Sequence, residues 1–287
     1  MSLKVLVLGA TGMLGNAVFR YLSDAPELQV WGTVQNAGGK RFFADALQPN
    51  LIAHINVLDF DTLVGAFEKV RPDVVINCIG LIKQLTDAQD PLAALPINAM
   101  LPHRLAKLCA LSGARLIHVS TDCVFSGSKG MYLETDPSDA EDLYGKSKYI
   151  GEIHGAPNAV TLRTSIIGHE LSSQVGLVDW FLSQEGSVKG YQKAIFSGLP
   201  TVELARIIRA FVLPNPELSG LYHVSAAPID KCSLLKLVAE AYQKTIAIIP
   251  DEQVAIDRSL DSTRFRQATG YAPPSWPELI LMMKNFK

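Results

Sequence analysis

The opening fifteen residues restrict the fold more than any other stretch of the chain. Val5 to Leu8 is an apolar run that ends in Gly9-Ala10-Thr11-Gly12-Met13-Leu14-Gly15, and a helical pattern through Val18 and Leu22 follows. That order reads as a strand, a tight turn and the start of a helix. Gly9 permits the turn, Gly12 lets backbone approach a pyrophosphate, and Gly15 lets the helix pack close on the sheet. The spacing is G-x-x-G-x-x-G, not G-x-G-x-x-G. Glycine turns also serve plain packing, but between a first strand and a first helix this one predicts a dinucleotide site.

The same rhythm continues. Strands are expected at Leu28–Val34, Leu51–Val57, Asp73–Asn77, Arg115–Val119 and Ala159–Arg163, with helices at Pro91–Leu111 and Leu143–His154. Strands alternating with helices at this spacing predict an α/β fold, a Rossmann-type doubly wound parallel sheet. Ligands in such sheets sit beyond the carboxyl ends of the strands. Gly9–Gly15, Cys78–Gly80 and Ser120–Thr121 all fall there, which points to one site. After Arg163 short segments are interrupted by Gly, Ser, Pro and aromatics. A helix capped by Thr201, a strand at Leu221–Val224, a helix at Ser233–Tyr242 and a last helix opening at Trp276 are expected. The predicted division is a dinucleotide-binding domain over residues 1–164 and a smaller C-terminal α/β substrate lobe over 165–287, with about 195–225 returning to the first domain.

The chemistry concentrates between Ser120 and Lys148. Tyr144 and Lys148 lie four apart, so a helix presents both on one face. An ammonium beside a phenol favours the phenolate and is expected to bring Tyr144 toward the working range of an acid–base group. Thr121 supplies a hydroxyl at the end of the preceding strand, so all three can meet around one carbonyl or alcohol. The plain alternative is a chance pair on a solvated helix face; the glycine turn upstream argues against it. Cys78-Ile79-Gly80 leaves room for a ribose and nicotinamide. Asn98 is either a holder of water or backbone near the catalytic helix or an ordinary helix-face amide. Asp59 either caps a helix or touches an adenine amino group. No carboxylate ends the second strand, where one would accept from a ribose 2'-hydroxyl. Lys40 and Arg41 follow instead, which favours NADP(H), with NAD(H) the alternative and a solvated loop the plain reading.

Several classes are disfavoured. With 26 Lys and Arg against 28 Asp and Glu, the chain has no basic field for nucleic acid or anionic lipid. No apolar run reaches the length of a bilayer span, and the N-terminus reads as a strand, not a signal peptide. The four cysteines form no C-x-x-C pair and the six histidines no H-x-x-x-H pair, so neither a metal site nor a disulfide framework is expected. A cytoplasmic protein without a metal is the expectation.

Taken together, the glycine turn, Asn77, Thr121 and Tyr144-x-x-x-Lys148 resemble the extended short-chain dehydrogenase/reductases. More narrowly the chain is similar to the dTDP-4-dehydrorhamnose reductase group. The residues that carry this are Ser120-Thr121-Asp122-Cys123-Val124-Phe125, Tyr132-x-Glu134-x-Asp136-Pro137, Tyr144-Gly145-Lys146-Ser147-Lys148-x-x-Gly151-Glu152 and Leu162-Arg163-Thr164-Ser165. Weaker echoes are Gly220-x-Tyr222-His223-Val224-Ser225 and Leu260-Asp261-Ser262-x-x-Phe265. The resemblance implies an oxidoreductase that reduces a 4-keto-6-deoxy nucleotide sugar in deoxysugar or surface-polysaccharide biosynthesis. Tyr144 would be the proton donor, Lys148 would lower its pKa and hold the nicotinamide ribose, and Thr121 would bond the reacting oxygen. Cofactor contacts would come from Gly9, Thr11, Gly12, Met13, Leu14, Gly15, Asp59, Cys78, Ile79, Gly80, Asn98, Tyr144 and Lys148. Substrate contacts would come from Asp122, Cys123, Val124, Phe125 and Arg258. A homodimer through the helices at Pro91–Leu111 and Leu143–His154 is also implied.

Two departures bear on the substrate. Cys123 stands where the family carries an aromatic, and Gly80-Leu81-Ile82-Lys83-Gln84-Leu85 replaces a distinct polar run. Sugar-nucleotide dehydratases, which the family borders, have Thr-Asp-Glu where this chain has Thr121-Asp122-Cys123, so dehydration lacks one of its two carboxyls. A 4-epimerase using tightly bound NAD needs the same Tyr and Lys. The regulatory subunit of eukaryotic methionine adenosyltransferase resembles the same group, which makes a non-catalytic NADP-binding protein the second class of reading.

Overall fold

In β1 (Leu3–Leu8) neighbouring side chains enter different cores: Val5 and Val7 one, Leu6 and Leu8 the other. A strand apolar on both faces needs cover on both, and the chain supplies it in order. The computed structural model describes residues 2–81 and 89–286, so Ile82-Lys83-Gln84-Leu85 of the departing run lie outside the described residues. After β1 come α1 (Met13–Ser23), β2 (Leu28–Thr33), β3 (Leu51–Ile52), α2 (Phe60–Val70), β4 (Val74–Asn77), α3 (Pro91–Ala94), α4 (Leu101–Ser112), β5 (Arg115–Thr121), α5 (Leu143–Ile150) and β6 (Ala159–Thr164). The remainder is β7 (Ile166–Ile167), α6 (Leu177–Ser183), β8 (Ser187–Tyr191), β9 (Ala194–Phe196), β10 (Leu199–Pro200), α7 (Thr201–Ile207), β11 (Gly220–His223), β12 (Ile229–Asp230), α8 (Lys231–Tyr242), β13 (Ala247–Asp251), β14 (Ile256–Asp257), α9 (Thr263–Thr269) and α10 (Trp276–Asn285).

Seven of these strands form one parallel sheet in the order β11-β6-β5-β4-β1-β2-β3. The order reverses between β1 and β4, which opens a crevice at their carboxyl ends. One face is covered by α1 with α7 packed beside it, through residues such as Phe19 and Leu204, and α10 joins α7 to α8 further out; the other face is covered by α2 and α4 through Leu63, Phe67 and Leu105. This is the Rossmann-type α/β architecture the sequence predicts. The rest of the C-terminal part is small: β8 pairs with β13, β7 with β10, and β9 lies between β12 and β14. Tyr132, in the loop before α5, bridges to Leu260.

Four expected boundaries differ. The strand expected at Leu51–Val57 is only Leu51–Ile52, because His54 turns to φ 65 and Asn56 is taken into a turn, its Oδ1 accepting from Leu58 N at 3.1 Å. The helix expected at Pro91–Leu111 is broken in character: Leu95–Met100 widens to a π turn in which Leu101 N bonds Pro96 O. Pro102 has no N–H for the carbonyl of Asn98 four residues earlier, so the regular ladder cannot close there. The helix expected at Leu143–His154 stops at Ile150, since Thr161 Oγ1 bonds both the N and O of Ile153 at 3.1 Å and pulls the chain onto β6. Thr201 does not cap α7. It is the first helical residue, buried against Gly168, and Pro200 occupies the cap position.

Candidate active site

The glycine turn forms a cradle by close packing. Gly9 has φ +82, its N–H donates to Thr33 Oγ1 at 3.0 Å, and a Cβ there would lie 2.7 Å from Ile79 Cγ1. A Cβ on Gly15 would fall 2.0 Å from the Gly9 carbonyl oxygen. Gly12 caps α1 with no side chain, and among the described residues the N–H groups of Met13, Leu14 and Gly15 have no partner. Three open donors at the positive end of an eleven-residue helix suit a diphosphate. These residues therefore fit a dinucleotide.

At the end of β2 the hydroxyl of Thr33 is spent on Gly9. The turn Ala37–Phe42 is capped by Asn36, whose Oδ1 accepts from Gly39 N at 3.2 Å, and Gly39 packs on Thr11. Arg41 is exposed and stacks over Phe42, 4.9 Å from its ring centre, whereas half-buried Lys40 turns toward Gln48 O at 3.4 Å. Asp59 is the N-cap of α2 and accepts from Asp61 N at 3.2 Å, the capping role of its two readings.

Beyond β4, Asn77 Oδ1 accepts from Ile79 N at 3.1 Å while its Nδ2 donates to His118 Nδ1 at 3.2 Å. Asn98 is a clamp. Its Oδ1 accepts from Leu81 N at 2.9 Å, and its Nδ2 donates to Leu81 O and to Ser147 Oγ, both at 3.2 Å. One buried amide thus ties the loop after β4 to α5, the helix that carries Tyr144 and Lys148. The π turn aims it there, and the backbone carbonyl of the same residue abuts Gly151, where a Cβ would be 2.0 Å away.

α5 is capped by Asp142, which accepts from Gly145 N at 2.8 Å. Gly145 presses on the turn after β5; a Cβ there would sit 2.3 Å from Cys123 O. That contact brings Tyr144 beside the Thr121 hydroxyl. Burial raises the phenol above its ordinary pKa, and the Thr121 hydroxyl only partly offsets this. The expected lowering by Lys148 is overturned: its Nζ donates to Val119 O at 2.9 Å. Burial brings Lys148 itself down to about 8, with Glu152 opposing. Lys148 is buried, and a Cβ on Gly80 would be 3.7 Å from that Nζ, so the loop after β4 lies directly over the ammonium.

Thr121 Oγ1 also accepts from Cys123 N and donates to Asp122 Oδ1, both at 3.2 Å. Asp122 is buried and its pKa raised by burial, with Arg258 opposing. Arg258 Nε donates to Phe125 O at 2.7 Å. Burial pushes the thiols of Cys78 and Cys123 up to about 12, so neither is a thiolate at neutral pH. Val124 and Phe125, expected at the substrate, are instead core: both are fully buried with Tyr132 and Leu260, and Phe125 stacks on Tyr132 with ring centres 4.0 Å apart.

Behind this corner lies a cluster that the motif reading did not assign. Arg163 Nε and Ser120 Oγ donate to Glu152 Oε1 at 2.8 and 2.7 Å, and Arg163 Nη2 bonds Glu152 Oε2. Arg163 Nη1 donates to His223 Nε2 at 2.8 Å, and His223 Nδ1 faces the carbonyls of Tyr132 and Asp261 at 3.0 and 3.2 Å. A guanidinium only donates, so Nε2 accepts and Nδ1 carries the proton. Burial first, and Arg163 second, bring His223 down to about 3, so it is neutral. Glu134 Oε1 accepts from His223 N at 2.8 Å. The signal available in the sequence was Arg163 and His223 within otherwise apolar strands, since buried charge requires partners.

Among the described residues no group of three or more His, Cys, Asp or Glu could hold a metal ion, and no helix is long and apolar enough to cross a membrane. In sequence the chain is 33% identical to methionine adenosyltransferase 2 subunit beta of Mus musculus over 253 residues, covering 84% of this chain and 72% of that protein. It is 32% identical to a dTDP-4-dehydrorhamnose reductase of Streptomyces griseus over 148 residues, 51% of this chain and 43% of that one. In structure it matches dTDP-4-dehydrorhamnose reductase from Bacillus anthracis, solved in complex with NADP, at a TM-score of 0.79 and 21% identity over 100% of both chains. Residues 3–279 match the family model described as the RmlD substrate binding domain. On that match, which spans the glycine cradle, the Tyr144–Lys148 helix and the C-terminal lobe, the chain belongs to the RmlD substrate binding domain family.

Proposed function

We propose that the chain binds NADP(H) in preference to NAD(H) and reduces the keto group of a 4-keto-6-deoxy nucleotide sugar. The observation that carries this reading is the Tyr144 phenol set beside the Thr121 hydroxyl at the end of β5, with a buried Lys148 on the same helix and the open N–H groups of α1 at the same strand ends. Gly9 to Gly15 would hold the diphosphate, Arg41 the 2'-phosphate, and Lys148 and the loop at Gly80 the nicotinamide ribose. The reduced cofactor supplies a hydride when bound. Tyr144, a neutral phenol, donates the proton that the new alkoxide takes up, and Thr121 bonds the same oxygen as its charge develops. Asp122, Cys123 and Arg258 bound the sugar side of the cleft.

The second reading is a cofactor-binding regulatory subunit, favoured by the 33% identity to the mouse methionine adenosyltransferase subunit. One experiment separates the readings. Nicotinamide fluorescence is titrated with NADPH and NADH, then the absorbance of NADPH is followed with a panel of 4-keto-6-deoxy nucleotide sugars. Oxidation with one of them supports the reductase and names its substrate. Tight binding without turnover on any sugar moves the assignment to an epimerase or a regulatory subunit. Arg41→Ala is expected to weaken NADPH about tenfold and leave NADH unchanged; equal loss for both would remove Arg41 from the cofactor.

A further inference from the structure

Away from the dinucleotide crevice, a cleft of about 670 Å³ opens between α1, α7, α10 and the loop 169–174. Its volume lies in the range of small-molecule sites, and none of its lining residues belongs to the cradle or the Tyr144 corner. α1 contributes Asn16 and Arg20, one turn apart. Asn16 is 6% exposed, and its Oδ1 has no hydrogen-bond partner among the described residues. A buried amide oxygen without a donor is rare and unfavourable, and a ligand N–H would satisfy it.

The charges around the cleft are unevenly committed. Asp179 accepts from His169 Nδ1 at 2.6 Å and from Glu170 N at 2.7 Å. Glu170 Oε2 accepts from the backbone N–H groups of Val175 and Gly176, both at 2.8 Å. His169 Nε2 meets the Tyr242 hydroxyl at 2.8 Å. Arg20, by contrast, has no ion pair or hydrogen bond among the described residues; its guanidinium lies 4.7 Å from the centre of the Phe286 ring. The one uncommitted charge of the cleft is therefore positive, the acids being already satisfied by donors of the wall. Val202 and Met283 add apolar surface.

We infer that this cleft is a second ligand site, separate from the dinucleotide crevice, for a small organic anion that also carries an amide or ring N–H. The anionic group pairs with Arg20, the N–H donates to Asn16 Oδ1, and the apolar body packs on Val202 and Met283. A carboxylate and a phosphate monoester share this chemistry, and two probes tell them apart: hippurate for the first, uridine 5'-monophosphate for the second.

The test follows the methyl signals of methionine in the full-length protein by NMR. Met283 reports the cleft and is identified by its loss in a Met283→Leu variant; NADPH added as a competitor tells the cleft from the dinucleotide crevice. Each probe is added up to about 10 mM, where even weak sites fill. At least one probe is expected to shift Met283 saturably, with an affinity that saturating NADPH leaves unchanged. Arg20→Gln is expected to weaken that probe about tenfold, with Arg20→Lys restoring part of the affinity. Asn16→Ala should weaken it as well. Arg20 is half-buried and makes no hydrogen bond or ion pair among the described residues, so its variants keep the test meaningful if Asn16→Ala does not fold. No shift at Met283, a shift that never saturates, or equal affinity in Arg20→Gln overturns the proposal and leaves the cleft filled by water alone.

Discussion

Ser120 and Thr121 are consecutive residues of β5, and they serve two unlike polar groups. Alternation along a strand sends their side chains to opposite faces. Ser120 bonds Glu152 in the rear cluster, where both carboxylate oxygens, three guanidinium nitrogens and both imidazole nitrogens of His223 find partners. Thr121 enters the front corner, where Tyr144 has one hydroxyl neighbour and Lys148 one carbonyl. The rear cluster contains more charge and more burial, yet it has nothing left to offer a ligand. It fastens the loop at Tyr132 and the tail at Asp261 to the end of the sheet. Buried ionic groups alone do not mark a reaction centre; unspent hydrogen-bonding capacity facing a crevice does.

The sharpest way to break this contrast is Glu152→Ala. It leaves the Arg163 guanidinium buried without its partner, and an unfolding free-energy loss of about 3–5 kcal/mol is expected in urea denaturation. A loss under about 1 kcal/mol would mean that the rear cluster is not what fastens the lobe. Tyr144→Phe should do the reverse. Stability stays within about 1 kcal/mol, NADPH still binds, and turnover on the responsive sugar falls roughly 10²–10⁴-fold; full activity would remove Tyr144 from the chemistry.

Gly151→Ala tests the joint between the two regions. Its new methyl meets the Asn98 carbonyl, so a cost of about 1–3 kcal/mol is expected, together with weaker NADPH binding as the Asn98 clamp shifts. Unchanged binding would show that the loop after β4 is held by other means.

The smallest effect is in pH dependence, and its pH window separates front from rear. Lys148 titrates near 8 when folded and near 10.5 otherwise. Between those values the unfolded chain holds a proton that the folded chain has released, so its contribution to stability rises with pH while the ammonium leaves the site. NADPH affinity is expected to fall as pH rises through about 8, and Lys148→Met to flatten that fall. His223 titrates near 3 folded and 6.5 unfolded. Stability should therefore decline as pH drops from 6.5 toward 3, with a slope that His223→Gln reduces by up to roughly 1 kcal/mol per pH unit. Matching slopes in both proteins would place the acid sensitivity elsewhere.

Much of the fold was legible because its signals are local. The strand, glycine turn and helix at Val5–Val18 are neighbours in sequence, and steric need alone specifies Gly9 and Gly15. The pairing of Tyr144 with Lys148 on α5 follows from a four-residue spacing. The π turn could have been read from Pro102 four residues after Asn98, but its consequence, an amide turned across to Leu81 and Ser147, depends on two other segments. Val124 and Phe125 follow Thr121 directly and looked like part of the site; the stacking of Phe125 on Tyr132 withdrew them into the core.

The sequence by itself determined the parallel doubly wound sheet, the glycine turn and the placing of Tyr144 and Lys148 on one helix, since periodicity, turn sterics and helical spacing act over a few residues. Tertiary structure alone decided that Lys148 spends its proton on Val119 and not on Tyr144, that Arg163 finds Glu152 and His223, and that Asn16 and Arg20 share a cleft with α7 and α10. Those outcomes rest on desolvation and on partners far apart in the chain, and burial is a property that only the folded packing assigns.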